Sequence, residues 1–243
     1  MRDSIGVWRE KNRLSQFNGD LVDRVIEIPV EPWGEDDFIR VAEKGQEALN
    51  IIFSVELVRK CLDSSFSSIG VFQELLKEVC IAADVRDKNL FERRIDDLAL
   101  FDIAATRKAE EYASRHQRAL ESIAAGNLSR SAKDGVLPLF LPYYLVRVIL
   151  DGGYDGLANG LRRATIQENI QQIHHRPDDV RASDMSNLLY NLAALQASKS
   201  ISPPIIDYDK STKLLQVVDS TFYFFLKNAD LKSIAGEIPN PLS

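Results

Sequence analysis

The sequence predicts a mainly α fold: a helical bundle, then a second helical unit that ends in a small β-hairpin. Three observations carry that expectation. Apolar residues recur at helical spacing over most of the 243 residues. Alternating β-branched runs are confined to Arg24–Val30 and to two short stretches near the C-terminus. A polar turn, Asp209-Lys-Ser-Thr-Lys, joins those last two stretches as a hairpin.

Arg24-Val-Ile-Glu-Ile-Pro-Val reads as a strand stopped by Pro29 and Pro32, with no further strand expected before the C-terminal hairpin. After Trp33 the acidic run from Gly34 to Asp37 suits a helix N-terminus, and Phe38, Val41, Ala42 and Leu49 continue it. Asn50 is a fitting cap, and Ser54 starts a second helix with Val55, Val58, Cys61 and Leu62 on one face. A polar turn over residues 64–70 leads to a third helix, Val71–Ala83, whose buried stripe is Phe72, Leu75, Leu76, Val79 and Cys80. From Asn89 to Ala125 the pattern is charged and implies one or two surface helices with solvated faces. A loop over residues 126–135 separates these from the C-terminal unit.

There, helices over 142–150 and 166–173 precede a long helix capped by Ser183 or Asp184 and running to Ser198. Met185, Leu188, Leu189, Leu192 and Leu195 form its inner face. The hairpin strands, 204–208 and 214–218, follow it directly, and an aromatic helix over 220–227 closes the unit. Helix, helix, long helix, hairpin is the order of a winged helix-turn-helix. The expected organisation is therefore a strand segment over 1–30, a helical bundle over 31–88, a helical connector over 89–135, a winged helix over 136–230 and a tail over 231–243. Trp33, Tyr143, Tyr144 and the aromatics of 222–225 are expected in the core.

Composition bounds the function. Hydrophobic residues make up 45% and charged residues 27% of the chain, which excludes wholesale disorder. No apolar run approaches the ~18 residues of a membrane span; the longest is broken by Pro138 and Pro142. The first residues lack the apolar core of a signal peptide, and Cys61 and Cys80 sit in helical patterns rather than a disulfide framework. A cytoplasmic protein with no membrane partner is expected. The net charge of -6 argues against a chain-wide grip on nucleic acid and leaves room for a local basic patch.

The stretch Leu14-Ser-Gln-Phe-Asn-Gly-Asp-Leu-Val-Asp-Arg-Val-Ile-Glu-Ile-Pro-Val, then Pro32-Trp, then Ala42-Glu-Lys-Gly-Gln-Glu-Ala-Leu-Asn-Ile resembles the C-terminal half of bacterial P-loop ATPases of the AAA+/STAND group. In that resemblance the strand at 24–30 is the last strand of the ATPase core. The helices up to residue 83 are a lid, and the segment from Pro203 to Leu226 belongs to a winged helix that follows it. The phosphate-cradling Gly-x-x-x-x-Gly-Lys-Ser/Thr string does not occur, nor does an apolar strand ending in paired acids. The lid stretch Gly70-Val-Phe-Gln-Glu-Leu lacks the arginine that reaches the γ-phosphate in many relatives. The resemblance thus implies a non-enzymatic module, the back half of a larger design. ATP and Mg would belong only to an intact relative, and no cofactor or metal to this chain. An ATPase core or a homo-oligomer would be the partner.

Among individual residues, Arg24 stands where the family places an arginine finger acting in trans, against the plainer reading of a pair with Asp20 or Asp23. His174-His175-Arg176 with Asp178 and Asp179 contains metal-ligand chemistry, yet it reads better as a basic helix terminus before a Pro stop. His116 stands alone, either structural or exposed. For double-stranded DNA or a protein partner the candidates are Arg162, Arg163, Arg176, Arg181, Lys199, Lys210 and Lys213. Asn187, Asn191 and Gln196 are expected on the exposed face of the long helix. Residues 151–200 also carry Asp151, Asp155, Glu168, Asp178, Asp179 and Asp184, a balance that weakens phosphate binding. A stand-alone winged-helix transcription regulator is the alternative function.

Overall fold

The computed structural model describes residues 33–126 and 137–242. Arg24, its strand and all but the first residue of the expected 126–135 loop lie outside the described residues. Helix α1, Glu35–Leu49, opens with Glu35, Asp36 and Asp37 in its first turn, and the Asp37 carboxylate accepts the Gly34 N–H at 3.0 Å. It stops at Asn50, which takes the left-handed conformation at φ 54°. The Asn50 amide donates to Asn89 O, and the Asn89 amide donates back to Leu49 O.

That clasp brings together two strands that sequence patterning does not reveal. β1, Ile51–Phe53, pairs in parallel with β2, Arg93–Ile95. Neither run is longer than three residues, so neither shows a strand period of its own; pairing between segments distant in sequence makes the sheet. Ser54 caps α2, Val55–Asp63, by accepting the Leu57 N–H. The buried face of α2 is Leu57 and Cys61; of the other residues of the expected face, Val58 and Leu62 are half-buried and Val55 is 77% exposed. α3, Ile69–Ala82, is capped by Ser68 and buries the full expected stripe. Burial pushes the Cys61 thiol up to about 12 and the Cys80 thiol to about 11, so both stay protonated.

The connector expected on the surface is a single central helix, α4, Ala99–Ala125. Its first half (Phe101, Ala104, Ala105, Ala109) packs with α1–α3, and its second half (Ala119, Leu120, Ile123, Ala124) packs into the C-terminal core. Its polar residues are not all solvated, since Lys108 and His116 are buried.

In the C-terminal half, α5, Leu141–Leu157, runs past its expected end with a kink at Gly153, whose φ is 54°. β3, Leu161–Arg162, follows Gly160, where φ is 75° and a Cβ would stand 3.1 Å from Leu215 O. Next come α6, Arg163–Ile173, and a short turn, Pro177–Asp179. The expected long helix is two: α7, Ala182–Tyr190, and α8, Leu192–Ser198. Asn191 breaks them, its amide donating to Asn187 O at 2.8 Å. Neither Ser183 nor Asp184 is the cap; Asp184 lies in the first turn and accepts the Arg181 N–H.

The hairpin is as expected, β4, Ile206–Asp209, against β5, Leu214–Val217, and β3 adds a third strand to give the order β3-β5-β4, all antiparallel. α9, Ser220–Asn228, buries Phe222, Phe224, Phe225 and Leu226. The tail is not a tail: α10, Leu231–Glu237, sends Ile234 and Ala235 into the core, with Ile238 behind them. The two hydrophobic clusters meet at Phe66, whose ring lies against Tyr154, Tyr223 and Phe224. Tyr143 and Tyr144 are buried as expected, whereas Trp33 is 54% exposed.

Candidate functional site

Five of the predicted basic residues gather where α7 meets the three-stranded sheet. Arg163 sits at the β3–α6 junction, its backbone N–H donating to Lys213 O and its guanidinium donating to Ala182 O at 3.0 Å. It thus ties the hairpin to the first turn of α7, beside exposed Arg181. Arg162 pairs with Leu214 across the sheet and is exposed. From the hairpin turn Lys210 reaches back, its Nζ 5.0 Å from the centre of the Tyr190 ring at the end of α7. Tyr190 in turn lies 5.8 Å from Tyr208 of β4. Asn187 and Asn191 are exposed on the same helix and its C-terminal cap.

The turn that presents Lys210 and Lys213 is locally programmed. Burial acts upward on the Asp209 carboxyl, but hydrogen bonds from Ser211 and Thr212 outweigh it and hold its pKa at about 2. The carboxylate that closes the turn is therefore always charged at neutral pH, and Lys213 completes it at φ 58°. Tyr208 is pushed upward by burial, and its hydroxyl finds no hydrogen-bond partner among the described residues.

Other predicted residues lie elsewhere. Gln196 departs from its expected place: it is fully buried, not offered to a base edge. Its carbonyl accepts the N–H groups of Ile205 and Ile206 at 2.9 and 3.3 Å, and its amide donates to Ile206 O at 2.7 Å. It clips the start of the hairpin to α8. Arg176 is spent on structure, bonded to Asp179 and to Leu137 O. Lys199 is at the far end of α8, remote in sequence from the α7 face. The acidic residues that tipped the balance of 151–200 are spread over α5, α6 and the Pro177–Asp179 turn, with only Asp184 on α7.

The histidine pair is committed to the fold. His174 Nδ1 accepts the Arg176 N–H at 2.8 Å, so its proton is on Nε2, which donates to Leu139 O at 2.7 Å. His175 Nδ1 lies 2.9 Å from the Tyr144 hydroxyl. Burial, followed by the charges of His174 and Arg176, lowers the His175 pKa. Among the described residues no group of three or more His, Cys, Asp or Glu could hold a metal ion. None of the described helices is long and apolar enough to cross a membrane.

Sequence reasoning missed Tyr190 and Tyr208, which seat the lysine of the turn; a Tyr flanking Asn191 was the available signal. It also missed Arg115 and Arg118, which the charged run of α4 disguised as an ordinary solvated face. No protein-family model, curated protein or solved structure matches the chain.

Proposed function

We propose that residues 141–217 act as a winged helix that contacts duplex DNA through α7 and the β4–β5 hairpin. In this reading α1–α3 form a lid-like bundle, and the whole is a non-catalytic module of an AAA+/STAND-like ATPase design. One observation carries it. The order α5, β3, α6, α7/α8, β4, β5, with sheet order β3-β5-β4, sets five cations beside one exposed helix and its hairpin. Phosphate neutralisation supplies most of the affinity of such a face, and exposed Asn187 and Asn191 have the donor–acceptor pattern that reads adenine. The interlock at Phe66 supports coupling between bundle and winged helix, because this residue between α2 and α3 lies against Tyr154 of α5 as well as against α9. The stand-alone regulator differs only in lacking a nucleotide-dependent partner.

The test is fluorescence anisotropy of the full chain with labelled duplex at several salt concentrations. Binding is expected at low salt. Arg181→Gln with Lys210→Gln should lower the salt slope by about 2, one for each phosphate contact removed. Absence of binding at low salt, or a slope the double variant leaves unchanged, overturns the DNA reading. Calorimetry with Mg-ATP should show no tight binding; tight binding overturns the non-catalytic assignment.

A further inference from the structure

A second basic feature lies outside the α7 face. Between α4 and the chain that leaves α8 is a cleft of about 260 Å³ lined by Arg115, Arg118, Ser122, Lys199, Ser200 and Ser202. Among the described residues, every polar side chain on this lining is a cation or a hydroxyl, and none is a carboxylate. Arg118 uses its Nε to bond Ser114 O one turn back on its own helix, which leaves its terminal nitrogens for another acceptor. Among the described residues no carboxylate pairs with Arg118 or Lys199. Arg115 has one anionic partner, Asp219, at 3.0 Å; that carboxylate is only 11% exposed and also accepts from the Thr221 N–H and hydroxyl.

Three carbonyls at the end of α8 are bonded by the chain that leaves it. Leu195 O, Gln196 O and Ala197 O accept N–H groups of Lys199, Ser200 and Ile201 as the chain turns out of the helix. The lining carries Arg118 and Lys199, Arg115 in its pair with Asp219, and three serines. Guanidinium forks and hydroxyls together match a tetrahedral oxyanion, since they donate to several oxygens at once. The volume admits a phosphate with little attached to it, and is below the range of pockets that enclose drug-sized ligands, roughly 300–1,000 Å³.

We propose that this cleft is a phosphate-binding site. The phosphate is either that of a small phosphorylated molecule held within the cleft or one presented at its rim by a nucleic-acid backbone. The site is independent of the α7 face and does not rest on the winged-helix reading.

The experiment titrates the full chain with inorganic phosphate and pyrophosphate, monitored by calorimetry and by amide chemical shifts of Ser122, Ser200 and Ser202. The same chain is titrated with duplex DNA. Saturable phosphate or pyrophosphate binding, with shifts at those serines, is expected. Arg118→Gln with Lys199→Gln should weaken it at least about tenfold, since charged hydrogen bonds are the strong ones. Arg181→Gln with Lys210→Gln should leave it unchanged. If neither small anion saturates but the Arg118/Lys199 variant weakens duplex binding and lowers its salt slope, the backbone is the source. No saturation up to about 10 mM, beyond the millimolar range of weak sites, together with unchanged duplex binding overturns the proposal. The shift measurement needs no variant, so a misfolded substitution leaves it readable.

Discussion

Lys108 and His116 stand eight residues apart on α4, both withdrawn from solvent, and the fold holds one charged and the other neutral. Around Lys108 burial opposes the charge, but hydrogen bonds to Glu111 at 2.6 Å and Glu74 at 2.9 Å outweigh it and raise the ammonium pKa above its ordinary value. The Lys108 bond in turn lowers the Glu74 carboxyl. Around His116 the neighbours are the rings of Tyr112, Phe222 and Phe225. Thr221 Oγ1 donates to Asp219 at 2.7 Å, so it accepts from His116 Nε2, and the buried Nδ1 is left as a bare acceptor. A proton there would bury a cationic donor among apolar rings; burial accordingly lowers the pKa to about 4. The lesson is that depth alone does not set charge. The partners that depth brings along do.

Removing the partners should break that contrast first. Glu74→Gln with Glu111→Gln leaves the Lys108 ammonium buried without an anion and should cost about 3–5 kcal/mol in urea unfolding. Lys108→Met, which removes the buried charge itself and frees two carboxylates that already reach solvent, should stay within about 1 kcal/mol. Equal losses in the two would show that the pairing does not govern the site.

A third buried polar group tests the neutral solution. Gln196→Leu strands the N–H groups of Ile205 and Ile206 and should cost about 3 kcal/mol by the same measurement. A loss below about 1 kcal/mol would mean that water or a shifted hairpin replaces the amide.

The pH dependence of His116 is the smallest effect. Its folded pKa lies below the ordinary 6.5, so the unfolded chain takes up the proton first and stability falls as pH drops from about 6.5 to about 4. By about pH 5 the expected loss is about 2 kcal/mol, and His116→Phe should flatten that part of the pH profile. An unchanged slope in the variant would assign the acid sensitivity to another group such as His175, whose pKa is also lowered; Glu74, with its lowered carboxyl pKa, acts at more acidic pH.

Much of the fold was legible because its signals are local. Ser54 and Asn50 mark helix ends by side-chain and backbone chemistry close to where they stand. The stripe of α3 and the alternation of β4 and β5 were equally plain. Of the candidate site, the cations were legible as residues but not as a group. Arg162, Arg163, Arg181, Lys210 and Lys213 come together only because β3 joins the hairpin, and a two-residue strand has no period to read. Gln196 shows the opposite failure: on a helix read as continuous to Ser198 it belonged on the outer face, and the break at Asn191 re-aims the side chains of α8.

By itself the sequence determined that most of the chain is helical, which turn closes the hairpin, and that apolar stripes exist to be buried. Those choices are made by contacts a few residues long. Only the tertiary structure decided that Ile51–Phe53 pairs with Arg93–Ile95, that α4 runs through both cores, and that Lys108 keeps its proton while His116 sheds it. It also decided which arginines share a cleft. In each case the deciding partner is distant along the chain, and charge, burial and hydrogen bonding act through space.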